Sequence, residues 1–274
     1  MIKSIINICI FSVTLLLTMA SCTEIIEINT ISAEPQIVVE ATIGWNESPI
    51  VRLTKTNNLD AGDAFPTVEN AVINIEDNHG KAIVLTETSP GYYTSSSDFV
   101  GEIGHTYTMT ITTGTRTINA SSTLPSLVRI DDISIINSIY PGGGSPVDSL
   151  QEAHFYEIKI KYSDPVETLN FYRFLVRVNT KVATGNNIAD DRLINGNTTE
   201  RNLIMYDPEL KSGDVFIVEM QCIDKAVYEY FESMGNVNMG GNSSSPANPY
   251  TNLKGAKLGY FSAHTVERRY ITIK

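Results

Sequence analysis

From Gln36 onward the chain alternates apolar and polar residues with a period of two, and this pattern restricts it to sheet structures more tightly than anything else in the sequence. In Tyr107-Thr108-Met109-Thr110-Ile111-Thr112 the apolar side chains fall on one face and the threonines on the other, as in a strand with one buried and one wet side. His154 to Tyr162 repeats the pattern, with His154, Tyr156, Ile158, Ile160 and Tyr162 alternating against Glu157, Lys159 and Lys161. Strands are expected over Gln36–Ile43, Ile50–Lys55, Ala71–Glu76, Lys81–Glu87, Thr106–Thr112 and Arg116–Thr123. A second set follows over His154–Tyr162, Phe171–Asn179, Arg201–Tyr206, Asp214–Cys222 and a closing pair between Leu258 and Ile273.

Turn residues divide these runs. Asp77-Asn78-His79-Gly80 reads as a hairpin connection, because Gly80 can take the positive φ of a tight reversal. Pro125 closes the first group, and a flexible Pro141-Gly142-Gly143-Gly144-Ser145-Pro146 segment lies within the second. The expectation is an all-β chain. An N-terminal Ig/transthyretin-like β-sandwich spans residues 36–125, and a second, mainly antiparallel β domain spans 126–274. The convincing helical pattern is Val227, Tyr230, Phe231 and Met234, which predicts a short amphipathic helix over 225–234, capped by Asp224 and ended by Gly235. Asn236 to Asn252, rich in Gly, Asn and Ser, is expected to be a long loop.

Ahead of the sheets the sequence reads as an address. Lys3, an apolar run from Ile5 to Leu17, and Met19-Ala20-Ser21-Cys22 fit a lipoprotein signal over residues 1–21, with Cys22 as the site of lipid attachment. A run of about 13 apolar residues is too short to span a bilayer. An ordinary secretory peptide with an incidental cysteine is the plainer alternative. Residues 22–35 then form a tether, and the thirteen from Thr23 to Pro35 reach at most about 45 Å when extended. The formal net charge is −11 and becomes one unit more negative when Lys3 is removed. Such a surface repels nucleic acid and anionic headgroups, so no nucleic-acid partner is expected. Of three cysteines, Cys9 leaves with the signal and Cys22 carries lipid, so Cys222 has no intramolecular partner and reads as a buried apolar residue.

A search for chemistry finds little. Metalloprotease, phosphate-loop, nucleophile-elbow, dinucleotide and C-x-x-C motifs do not occur, so no catalytic residue is assigned and the chain is read as a non-enzyme. His79, His105, His154 and His264 are scattered without ligand spacing, so neither metal nor cofactor is expected. Asn58, Asp60 and Asp63, and Asp190 with Asp191, offer oxygen ligands for calcium but depart from the regular loop spacing and read as solvated loop acids. Asp148-Ser149-Leu150 makes Ser149 a candidate O-glycosylation site. Trp45, the sole tryptophan, and Tyr250 in the long loop are the candidate contacts for a glycan or peptide, with packing against a neighbouring strand as the competing role.

A series of motifs also carries a resemblance. It runs through Ile37-Val38-Val39-Glu40, Val51-Arg52-Leu53-Thr54, Gly91-Tyr92-Tyr93, Gly104-His105-Thr106-Tyr107, Phe171-Tyr172-Arg173-Phe174, Asp190-Asp191-Arg192, Asp224-Lys225-Ala226-Val227-Tyr228 and Leu258-Gly259-Tyr260-Phe261. In order and spacing these resemble the Bacteroidota lipoprotein family of unknown function numbered 4249. The resemblance implies an outer-membrane lipoprotein, encoded near TonB-dependent transporters, with no catalytic residues to carry over. Through Asn70 to Glu76, Gly80, Gly91-Tyr92-Tyr93 and Gly104 to Ile111 the first part also resembles carbohydrate-associated and carboxypeptidase-regulatory-like sandwich modules, which usually space or dock. Acidic residues packed directly after the lipidated cysteine mark surface export in that phylum. Here Ile25-Ile26 splits Glu24 from Glu27, which leaves the membrane face undecided.

The expected function is therefore that of a lipid-anchored outer-membrane accessory, docking with a TonB-dependent transporter in ligand capture or uptake. The alternatives are a stand-alone glycan- or peptide-binding lipoprotein and a structural envelope protein.

Overall fold

Among the described residues the alternation resolves into three sheets around two cores, with a third apolar cluster beneath the helix, and the all-β expectation holds. The structure, a computed structural model, describes residues 34–57, 64–95, 98–140, 153–206, 210–239 and 248–273. In chain order the first half forms β1 (Ile37–Gly44), β2 (Ile50–Lys55), β3 (Val72–Asp77), β4 (Ala82–Val84), β5 (Thr86–Ser89), β6 (Tyr92–Thr94), β7 (Thr106–Thr113) and β8 (Arg116–Thr123). The second half forms β9 (Ile130–Tyr140), β10 (Ala153–Ser163), β11 (Phe171–Val178), β12 (Lys181–Asp190), β13 (Thr198–Tyr206), β14 (Val215–Ile223), helix α1 (Lys225–Met239), β15 (Leu253–Lys254) and β16 (Leu258–Thr272).

The spine is an eight-stranded sheet in the order β12-β11-β14-β16-β1-β2-β6-β5. Its neighbours pair antiparallel except β1 with β16, which run parallel from Val38 opposite Leu258 to Gly44 opposite His264. A five-stranded sheet, β15-β8-β7-β3-β4, covers one end of it, and a three-stranded sheet, β13-β10-β9, covers the other. The first core joins Val39, Ile43, Leu53 and Phe261 of the spine to Ile73, Ile75, Met109 and Ile111 of the five-stranded sheet. The second joins Phe174, Val176, Phe216 and Met220 of the spine to Ile158, Ile160, Tyr162 and Leu203. Each such side chain contributes about 1.5–3 kcal/mol on burial.

β16 serves both cores. Phe261 and Ala263 lie in the first and Ile271 packs against the second; these alternate positions share one strand face, so the two smaller sheets cover the same side of the spine. Tyr260, on the opposite face, meets α1 through Tyr230 and Phe231. β16 carries the chain back to the first sheet, and residues Pro35–Lys274 form one compact unit.

Several boundaries differ from those expected. The closing pair of strands is one strand of 15 residues, because no turn residue interrupts its alternation after Gly259. The strand expected over Lys81–Glu87 is two: β4 pairs with β3, the buried Leu85 donates its N–H to the Ile73 carbonyl at 2.9 Å, and β5 crosses to pair with β6 in the spine. Helix α1 does not stop at Gly235 but runs to Met239, so the following loop begins later than Asn236; a glycine inside a helix costs only about 1 kcal/mol. Its start is as read, with Asp224 Oδ1 accepting the Val227 N–H at 2.9 Å. Strands β9 and β12 were not foreseen.

Candidate functional site

Because the three-stranded sheet is ordered β13-β10-β9, β9 has a strand on one side only among the described residues. Its 11 residues pair with β10 from Tyr140 opposite Ala153 to Ile130 opposite Tyr162. Beside it opens a groove of about 340 Å³ lined by Ile133, Ile135 and Asn137 of β9, Tyr156 of β10, and Ile271 and Ile273 at the end of β16. An edge strand presents a row of N–H and C=O groups that an added strand can pair, and an adjacent apolar groove can take that strand's side chains. The volume is within the range of pockets that hold small ligands.

A second cluster forms where β3 ends and β7 begins. The Asp77–Gly80 turn closes with the Gly80 N–H on the Asp77 carbonyl at 3.1 Å, and the 102–105 turn with the His105 N–H on the Glu102 carbonyl at 3.2 Å. Asn78 clamps the two turns: its N–H donates to the Thr106 carbonyl at 2.9 Å and its side-chain oxygen accepts the Thr106 N–H at 3.1 Å. This clamp brings His79 and His105 together with ring centroids 4.1 Å apart. The buried Asp77 sits beneath them, with Oδ2 3.1 Å from His105 Nδ1 and Oδ1 accepting the N–H groups of His79 and Lys81 at 2.9 and 2.8 Å. Burial disfavours the charge on Asp77, but these hydrogen bonds outweigh it and hold its carboxyl below the usual range. Glu102 Oε2 lies 3.7 Å from His105 Nε2.

The sequence profile of the family described as "Domain of unknown function (DUF4249)" matches residues 23–269. The chain belongs to this family. No curated protein matches it. In this DUF4249 chain the motifs that carried the resemblance are largely framework: Tyr93 donates to the Val68 carbonyl at 2.8 Å, Gly259 allows β16 to approach β1, and Asp224 caps α1.

The residues singled out from the DUF4249 sequence land as follows. Trp45 is half-buried against the first core, and its backbone N–H donates to the His264 carbonyl at 3.0 Å. Tyr250 is 75% exposed, on a segment whose backbone N–H is held by Ser233 Oγ of α1 at 2.9 Å. The two are held by different elements. Asp190 pairs with Arg192 at 2.6 Å and accepts the Tyr228 hydroxyl, whereas Asp191 is buried and accepts the Asn170 N–H at 2.7 Å; neighbouring in sequence, the two carboxylates serve separate structural bonds. Cys22, Ser149, Asn58, Asp60, Asp63 and Gly142 to Gly144 lie outside the described residues.

Ionisable groups inside the second core are committed to packing. Tyr172 donates to Asp164, whose other oxygen accepts the Gly196 N–H at 3.0 Å, and burial drives the Tyr172 and Tyr162 hydroxyls far from ionisation. Burial likewise raises the Cys222 thiol, which fits an inert core residue rather than a nucleophile. The β9 edge and the His79–His105 pair had weaker signals in the sequence. Alternation at Ile133 and Ile135 marked β9, but only the pairing of β3 with β7 brings the histidines together.

Proposed function

We propose that this chain is a non-catalytic docking protein, held at the outer membrane by lipid on Cys22, which engages a TonB-dependent transporter during ligand capture or uptake. The observation that carries the reading is the open edge of β9 beside its apolar groove, a surface built to accept an extended segment of a partner. The family match begins at Thr23, directly after Cys22, which fits a body that follows the lipidated cysteine. A lipid anchor confines the body to the membrane plane and raises the effective concentration of a membrane-embedded partner, so a modest interface suffices. No helix among the described residues is long and apolar enough to cross a membrane.

The test is co-purification in mild detergent through a tag on this protein, compared with an Ile133→Asp variant that places a charge in the groove. The reading expects a transporter in the wild-type eluate and its loss in a variant that still folds. Repeated preparations without any transporter contradict it. The exposed Tyr250 favours a second reading, direct binding of a glycan or peptide, in which saturating ligand raises the melting temperature by mass action.

A further inference from the structure

We propose that Asp77, His79 and His105 form a binding site for a divalent transition-metal ion of the zinc type. Their donor atoms all lie within 4.8 Å of one another. A tetrahedral zinc ion with bonds near 2.0–2.1 Å separates its ligands by about 3.3 Å, close to the 3.1 Å already found between Asp77 Oδ2 and His105 Nδ1. The ion therefore takes the place of the proton shared between these two atoms. When the ion displaces that proton from Nδ1, the ring keeps its proton on Nε2, which faces the Glu102 carboxylate at 3.7 Å.

His79 supplies the third ligand. Its exposed side chain can swing by the ångström or so that separates a ring stack from a coordinated pair, whereas Asp77 and His105 are fixed by the two clamped turns. Lys81, whose backbone N–H Asp77 accepts, has its ammonium engaged elsewhere, 3.4 Å from the Asp98 carbonyl, 4.0 Å from Glu102 and 5.4 Å from the Phe99 ring centroid. Two imidazoles and one carboxylate suit zinc, nickel or copper; calcium and magnesium prefer all-oxygen sites. Three protein ligands leave a fourth position open, so the ion can exchange or be shared with a ligand from outside.

The experiment is calorimetric titration of Zn²⁺ into tag-free, EDTA-stripped protein in detergent, with Mg²⁺ as the control and with His79→Ala and His105→Ala variants alongside. His79 is exposed, so its removal spares the fold, and circular dichroism checks that it does. The proposal expects saturation at one equivalent of Zn²⁺, no binding of Mg²⁺, and affinity at least tenfold weaker in each variant. It is overturned if Zn²⁺ does not saturate a single site, or if folded His79→Ala binds Zn²⁺ as tightly as the wild type.

Discussion

His264 sits at the centre of β16, buried, and burial pulls its imidazole below the ordinary histidine range even though Glu47 opposes the shift. A histidine that stays neutral in the native state but protonates in the unfolded chain makes stability fall as pH drops below about 6.5. Carboxyls such as Asp77 and Asp190, held low in the fold, contribute stability that is complete above about pH 4 and is lost as pH falls through their folded values. Urea melts across pH 7 to 3 should therefore show two descending stages, and His264→Gln should flatten the upper one; a wild-type profile level from pH 7 to 5 contradicts the assignment. Gly259 makes the sharpest local demand: at φ +105° a Cβ would lie 1.8 Å from the Val39 carbonyl oxygen. Gly259→Ala should cost at least about 3 kcal/mol in denaturant unfolding. The burial of Cys222, by contrast, was legible from alternation alone. The pairing of His79 with His105 was not, because it depends on the register that sets Asp77 opposite Tyr107.

At the level of elements, helix α1 is tied to the sheets at its first turn. Asp224 caps it, and the second carboxylate oxygen accepts the Ser122 hydroxyl and the Thr123 N–H of β8, while Ser122 Oγ accepts the Ala263 N–H of β16. One side chain thus joins helix, five-stranded sheet and spine. Asp224→Ala should lose the cap and this junction together, about 1–3 kcal/mol by urea titration, against under 0.5 kcal/mol for Lys225→Ala on the exposed side of the same turn. Strands with clear alternation, such as β2 and β8, matched their expected ends residue for residue. The split between β4 and β5 escaped because Leu85 looks like any other apolar residue in a run; its crossing between sheets is set by the partners on either side. The helix ran past Gly235 for a similar reason, since packing of Tyr230 and Phe231 on Tyr260 outweighs one glycine.

For the whole molecule, the two cores share one spine and β16 belongs to both, so they should unfold together. Fluorescence of Trp45 reports on the first core and far-UV circular dichroism on all the strands; coincident urea transitions are expected, and two separated midpoints would show independent domains. The return of the last strand to pair with β1 left no local mark in the sequence, since parallel pairing across the chain length depends on topology alone. Lipid on Cys22, as proposed, would hold the body and its β9 edge at the membrane. This attachment is tested most directly by Triton X-114 phase separation of the protein from envelopes, wild type beside Cys22→Ser. The account predicts wild type in the detergent phase and the variant in the aqueous phase; wild type wholly in the aqueous phase, or a variant that still follows the detergent, would contradict it.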